Sequence, residues 1–94
     1  MPLERLVTVT NPLGLHARPS ARLVTVVNQF KSRVLIRRAD DPNFVDAGSI
    51  LSVMLLAASQ GTPLIVRVEG EDEAAALAAV VALLSEGQES SHVF

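Results

Sequence analysis

The residues with the clearest chemical potential stand together in the run GLHARPS, residues 14–20, which holds His16, Arg18 and Pro19. An imidazole is largely uncharged near neutral pH and keeps a lone pair on one ring nitrogen, so it can attack phosphorus. A guanidinium is a permanent planar cation matched to phosphate oxygens. Pro19 suits the first turn of a helix, where its missing N–H costs nothing. That places His16 at or just before a helix N-cap, beside backbone N–H groups with no partner inside the helix. A terminus of this kind attracts anions. Nucleophile, cation and helix end within three residues make a compact acceptor for a phosphoryl group. Taken alone, the same residues also fit a surface histidine near a helix cap with a solvated arginine beside it.

Little else in the chain competes. His92, the second histidine, has no acidic or histidine neighbour at ligand spacing, so no metal site is expected. There are no cysteines, which removes disulfides, thiolate chemistry and cysteine zinc sites together. The net charge is −2 and the aromatic residues are only Phe30, Phe44 and Phe94. Nucleic acid would call for a basic stripe and stacking rings, and neither is present. No charged-then-apolar leader opens the chain, and the apolar run at residues 53–58 is far below the ~18 residues of a membrane span. The reading is a cytoplasmic, monomeric protein without cofactor.

Ninety-four residues, 49% hydrophobic and 19% charged, have the composition of one globular domain. A chain of this size buries roughly 60–65% of the surface that it exposes when unfolded. That allows one core and a surface site, but no deep substrate cleft. With so few aromatics, the core must be built from Val, Leu, Ile and Ala.

The elements that position His16 follow from periodicity. Residues 3–10 alternate, with Val7 and Val9 on one face and Thr8 and Thr10 on the other, which predicts a strand. Residues 11–14, NPLG, are turn chemistry. Over 17–30 the period becomes helical: Leu23, Val24, Val26, Val27 and Phe30 share one arc, and Arg18, Arg22, Thr25 and Gln29 the opposite stripe. Strands are predicted at 33–38, around Phe44 and Val45, and at 64–69. A short helix is bounded by Ser49 as N-cap and Gly61 as stop. After Gly70, the acids Glu71, Asp72 and Glu73 sit where a helix N-terminus favours negative charge. Leu77, Val80, Val81 and Leu84 form that helix's buried stripe, with Gly87 as its end. The order βαββαβα predicts an α+β protein, a two-layer open sandwich of helices on a sheet. The domain is set at 1–87, and 88–94 is expected to be a flexible C-terminal tail.

The run NPLGLHARPS resembles the active-site loop of the HPr family, the histidine-containing phosphocarriers of the bacterial phosphoenolpyruvate-dependent phosphotransferase system. The family pattern there is G-[LIM]-H-[AT]-R-P-[AS]. GSILSVMLLAASQGT resembles the family's second helix and the turn after it, and VEGEDEAAAL its fourth strand and last helix. The resemblance runs to about Gly87. It implies a four-stranded antiparallel sheet in the order 1-4-2-3 with three helices on one face. It further implies that His16 is phosphorylated on Nδ1 by enzyme I, with phosphoenolpyruvate as donor, and that the group passes to a histidine on a IIA protein. On this resemblance Arg18 is the electrostatic partner, Pro19 fixes the loop, and the N–H groups of Ala17 and Arg18 hold phosphate.

Ser49 falls where some members carry a serine phosphorylated by an ATP-dependent HPr kinase/phosphorylase. Gly48 stands where those relatives usually have lysine or arginine, so a plain N-cap is the favoured role. The helix after Ser49 is apolar on nearly every face, yet only one side of it can be buried. Val53 and Leu56 are assigned to the core. Ile50, Leu51 and Met54, which align with the family's docking residues, are assigned to partner binding. The turn at 39–43 is longer than in sugar-transport members. NPLGLH and ALAAVVALLSEG resemble the nitrogen-related branch, NPr, at least as well. Both branches stay open, and with them the identity of the IIA acceptor. Two rivals are a regulatory protein of this fold that has lost phosphotransfer, and an enzyme using His16 as general base. Retention of His16 and Arg18 opposes the first, and the loop's lack of a second catalytic group opposes the other.

Overall fold

The computed structural model describes residues 2–85. Gly87, the tail 88–94 and His92 lie outside the described residues. Seven elements follow in order: β1 Leu3–Thr8, α1 Ala17–Val27, β2 Arg33–Arg38, β3 Val45–Asp46, α2 Ile50–Leu55, β4 Pro63–Glu69 and α3 Glu73–Leu84. The strands form one antiparallel sheet in the order β1-β4-β2-β3. The three helices cover one face of it.

Strand alternation decides that face. Val7, Leu64, Val66, Val68, Val34 and Ile36 point to the helices and are buried. The register aligns them, with Val7 opposite Leu64, Val68 opposite both Leu3 and Val34, and Val66 opposite Ile36. Leu23 and Val27 of α1, Val53 of α2 and Leu77, Val80 and Leu84 of α3 close the core from above. Burial rather than propensity holds α1, because its valines are indifferent helix formers. On the open face, Phe44 lies beneath two guanidinium groups, Arg37 at 5.2 Å and Arg67 at 6.0 Å from the ring centre. The cations cover the ring by their attraction to its π face.

Four boundaries differ from the periodic reading. β1 stops at Thr8, opposite Pro63, which has no N–H to continue the ladder. Val9 remains buried and paired, donating to Thr62 O and accepting from Gly61 N. α1 ends at Val27, not at Phe30, with Asn28 as its C-cap. The third strand begins at Val45, leaving Phe44 in the preceding loop. The helix expected between Ser49 and Gly61 ends at Leu55, because Ala57 adopts φ +52° and turns the chain before Gly61 is reached. Among the described residues, no helix is long and apolar enough to cross a membrane.

Candidate functional site

His16 is held from both sides while its ring is left exposed. Ahead of it, Asn11 starts a tight turn: its carbonyl accepts from Gly14 N at 2.9 Å and its side chain from Leu13 N at 3.0 Å. Gly14 has φ +68°, and a Cβ at this position would stand 2.4 Å from Ala58 O, so only glycine fits the approach. Leu15 is buried, and its N–H donates to the same Ala58 carbonyl at 2.8 Å. Behind His16, the fully buried Ser20 donates from Oγ to Leu15 O at 2.9 Å and from its N–H to His16 O at 3.0 Å.

His16 is the N-cap of α1, with an extended backbone (φ −76°, ψ −169°), and its side chain makes no capping bond. The N–H groups of Ala17 and Arg18, in the first turn, have no acceptors in their own helix. Pro19, third in the helix and buried, has no N–H to leave unsatisfied. No acid stands in the first turn of α1, so the helix's positive end is not neutralised there. Arg18 is exposed in the same turn. His16, Ala17, Arg18 and Pro19 thus share the N-terminal turn of α1, with His16, Ala17 and Arg18 exposed and Pro19 buried.

The second group lies on α2, the helix that packs beside α1. Ser49 caps it, accepting from Ser52 N at 3.4 Å, which is the N-cap role expected for it. Val53 and Leu56 are buried as assigned, whereas Ala57 is exposed. Ile50, Leu51 and Met54 are 43%, 65% and 42% exposed. Three exposed apolar residues escaped the sequence reading: Leu55 at 73%, Leu13 at 74% and, on β1, Leu6 at 61%. Leu55 was within reach, since it stands four residues after Leu51 and so continues the same helix stripe. Leu13 carries no such signal, being a turn residue whose exposure depends on how the loop seats against Ala58.

Comparison with known proteins supplies the family. The model of the "PTS HPr component phosphorylation site" family matches residues 3–86. A phosphocarrier protein HPr from Xylella fastidiosa is 50% identical over 78 residues, covering 83% of this chain and 85% of that protein. A phosphocarrier protein NPr from Escherichia coli K12 is 36% identical over 87 residues, covering 93% and 96%. Among solved structures, the crystal structure of a phosphocarrier protein HPr from Bacillus anthracis superimposes with a TM-score of 0.83 at 34% identity, over 88% of this chain and 96% of that one. An HPr from Thermoanaerobacter tengcongensis gives 0.84 at 35% identity, over 90% and 93%. A family match across nearly the whole described chain, half-identical relatives and the same sheet order lead to one conclusion: this chain belongs to the HPr family, the phosphocarrier proteins of the phosphotransferase system.

Proposed function

We propose that this protein is a stoichiometric carrier that receives a phosphoryl group on His16 from phosphorylated enzyme I and delivers it to a histidine on a IIA protein. The observation that carries the reading is the exposed His16 ring at the N-cap of α1, anchored through its neighbours but making no capping bond itself. A ring nitrogen, Nδ1 on the family resemblance, attacks phosphorus with its lone pair while the donor's phosphorus–nitrogen bond breaks. Onward transfer reverses the roles. Such a transition state needs positioning and charge stabilisation more than covalent machinery from the protein. Arg18 and the N–H groups of Ala17 and Arg18 serve the equatorial oxygens.

Ile50, Leu51 and Met54 form the docking surface, with Leu55 extending it. Ser49 acts as a helix cap rather than as a regulatory site. The carrier domain is residues 1–87, working as a monomer in the cytoplasm. The acceptor IIA protein serves sugar uptake or nitrogen-related regulation, and assays with a IIA protein of each kind separate the two. Incubation with phosphoenolpyruvate and enzyme I, followed by intact-mass measurement, tests the core of the reading. One phosphoryl mass should appear on the parent and none on His16→Ala. The adduct should be lost in mild acid, as a phosphorus–nitrogen bond requires. An acid-stable adduct, or one that survives in His16→Ala, would place the acceptor elsewhere.

A further inference from the structure

The far end of β2 reaches the His16 loop through the last turn of α2. Arg38, the final residue of β2, donates from Nη1 to Leu56 O at 3.2 Å and to Ala57 O at 3.3 Å, while its Nε pairs with Asp40 at 3.1 Å. A helix of six residues ends with carbonyls that have no N–H partner within it, and a cation at that end both bonds them and answers the helix dipole. The turn then reverses at Ala57, a non-glycine residue at φ +52°. The next carbonyl, Ala58 O, receives Leu15 N, and Leu15 is bonded through its own carbonyl to Ser20 across His16. An unbroken series of hydrogen bonds and single residues therefore joins Arg38 to the acceptor loop.

We propose that Arg38 is a positioning residue for phosphoryl transfer, which by holding the Leu56 and Ala57 carbonyls fixes the reversed turn whose Ala58 carbonyl sets Leu15 and hence His16. This inference rests on the reading of His16 as phosphoryl acceptor. Arg38 touches neither His16 nor the docking residues in any bond described above. The docking helix has supports of its own, the Ser49 cap and the buried Val53 and Leu56, so loss of Arg38 acts on the loop rather than on docking.

The test compares Arg38→Met, which keeps the stem, with Arg38→Lys, which restores a donor, and with Asp40→Asn, which removes the ion pair but leaves the carbonyl bonds. Amide hydrogen exchange in the intact chain reads the link directly. In Arg38→Met the Leu15 amide should exchange about fivefold faster or more while the Val66 amide keeps the parent rate, because local opening is separable from global opening. In transfer from enzyme I, the rate at saturation should fall about three- to tenfold, and half-saturation should move less than about twofold, since small misplacements act on the chemical step. Arg38→Lys should recover part of both effects, and Asp40→Asn should behave as the parent. Unchanged Leu15 exchange, or exchange rising equally at Leu15 and Val66, overturns the proposal. So does a rise in half-saturation at an unchanged saturated rate, which would make Arg38 a docking residue, or a deficit in Asp40→Asn equal to that of Arg38→Met. If Arg38→Met does not fold, Arg38→Lys carries the same comparison with smaller effects. Should the parent accept no phosphoryl group at all, the carrier reading fails and the proposal with it, while Leu15 exchange still reports whether the mechanical link exists.

Discussion

Asp72 and Ser32, forty residues apart, exchange two hydrogen bonds: Ser32 Oγ donates to Asp72 Oδ1 at 2.5 Å, and Asp72 N donates to Ser32 Oγ at 3.2 Å. The N–H groups of Ser32 and Lys31 donate to the same carboxylate, each at 2.9 Å. The start of α3 is thereby fastened to the entry of β2.

This arrangement predicts an acid limb of stability. The Ser32 hydroxyl above all, and then the Lys31 N–H, hold the Asp72 carboxyl below its ordinary value. A folded value below the unfolded one, about 4, gives stability that is fully present above that pH and is lost as pH falls through the folded value. Melting measured from pH 7 to pH 3 should show the parent losing stability below about pH 4 more steeply than Asp72→Asn, which cannot titrate. Parallel curves would remove Asp72 from the acid response.

Gly14 and Gly61 make a paired test of close approach. Both have positive φ, but a Cβ at Gly61 meets nothing within 4 Å, whereas one at Gly14 meets Ala58 O at 2.4 Å. Gly61→Ala should cost about 1 kcal/mol from backbone strain alone. Gly14→Ala should cost ~2 kcal/mol or more and also slow transfer, because the Leu15–Ala58 bond must lengthen. Equal melting temperatures for the two variants would show that the loop does not seat as described.

Ala57 at φ +52° makes the opposite prediction, a stabilising glycine. The left-handed conformation costs an alanine ~1–2 kcal/mol. Glycine's freer unfolded chain takes back ~0.4–1 kcal/mol of that. Ala57→Gly should gain ~0.5 kcal/mol net, a rise of roughly 2–4 °C in melting temperature. A lower melting temperature would mean that the turn is not left-handed in solution.

The apolar side of α2 is tested by charge. Leu51→Glu, Met54→Glu and Leu55→Glu place a carboxylate at exposed positions and should melt near the parent, while Val53→Glu buries an unpaired charge and should not fold. Each of the three should raise the half-saturating concentration of enzyme I about tenfold, equivalent to ~1.4 kcal/mol of docking. Folded variants with unchanged half-saturation would remove this surface from docking.

Arg18 should matter to the chemical step. Lysine keeps its charge but not its planar fork, so Arg18→Lys should retain part of the transfer rate and Arg18→Ala lose tens- to hundreds-fold, about 2–3 kcal/mol of transition-state stabilisation. If Arg18 only steers acidic partners, salt erases the deficit, because exposed charges are screened beyond roughly 8 Å at physiological ionic strength. The deficit should instead persist at high salt with partner at saturation.

Much of the fold, and the place of His16 at the N-cap of α1, were legible in the sequence because their causes are local. Alternation placed β2 at residues 33–38 as found, and Pro19 after His16 and Arg18 marks a helix start whatever the rest of the chain does. The features that escaped depend on distant partners. The end of α2 is set by a left-handed alanine held from β2 by Arg38, which no propensity reveals. Asp72 reads as one of three acids favoured by the N-terminus of its own helix, yet its carboxylate turns to Ser32 and Lys31 instead, a choice that only the tertiary fold makes available. Leu13 stands exposed in the turn just before Gly14 and Leu15, which both seat against Ala58, an approach between residues more than forty apart.

The fastening of His16 on both flanks bears on what governs flux. A loop seated through Leu15 and Ser20 fixes one backbone arrangement around the imidazole, which donor and acceptor meet in turn on the proposed reading. On the proposed reading, exchange at each encounter is then reversible through one geometry. The direction of net phosphoryl flow belongs to the relative phosphoryl potentials and abundances of the two partners, and the carrier sets only how quickly they equilibrate.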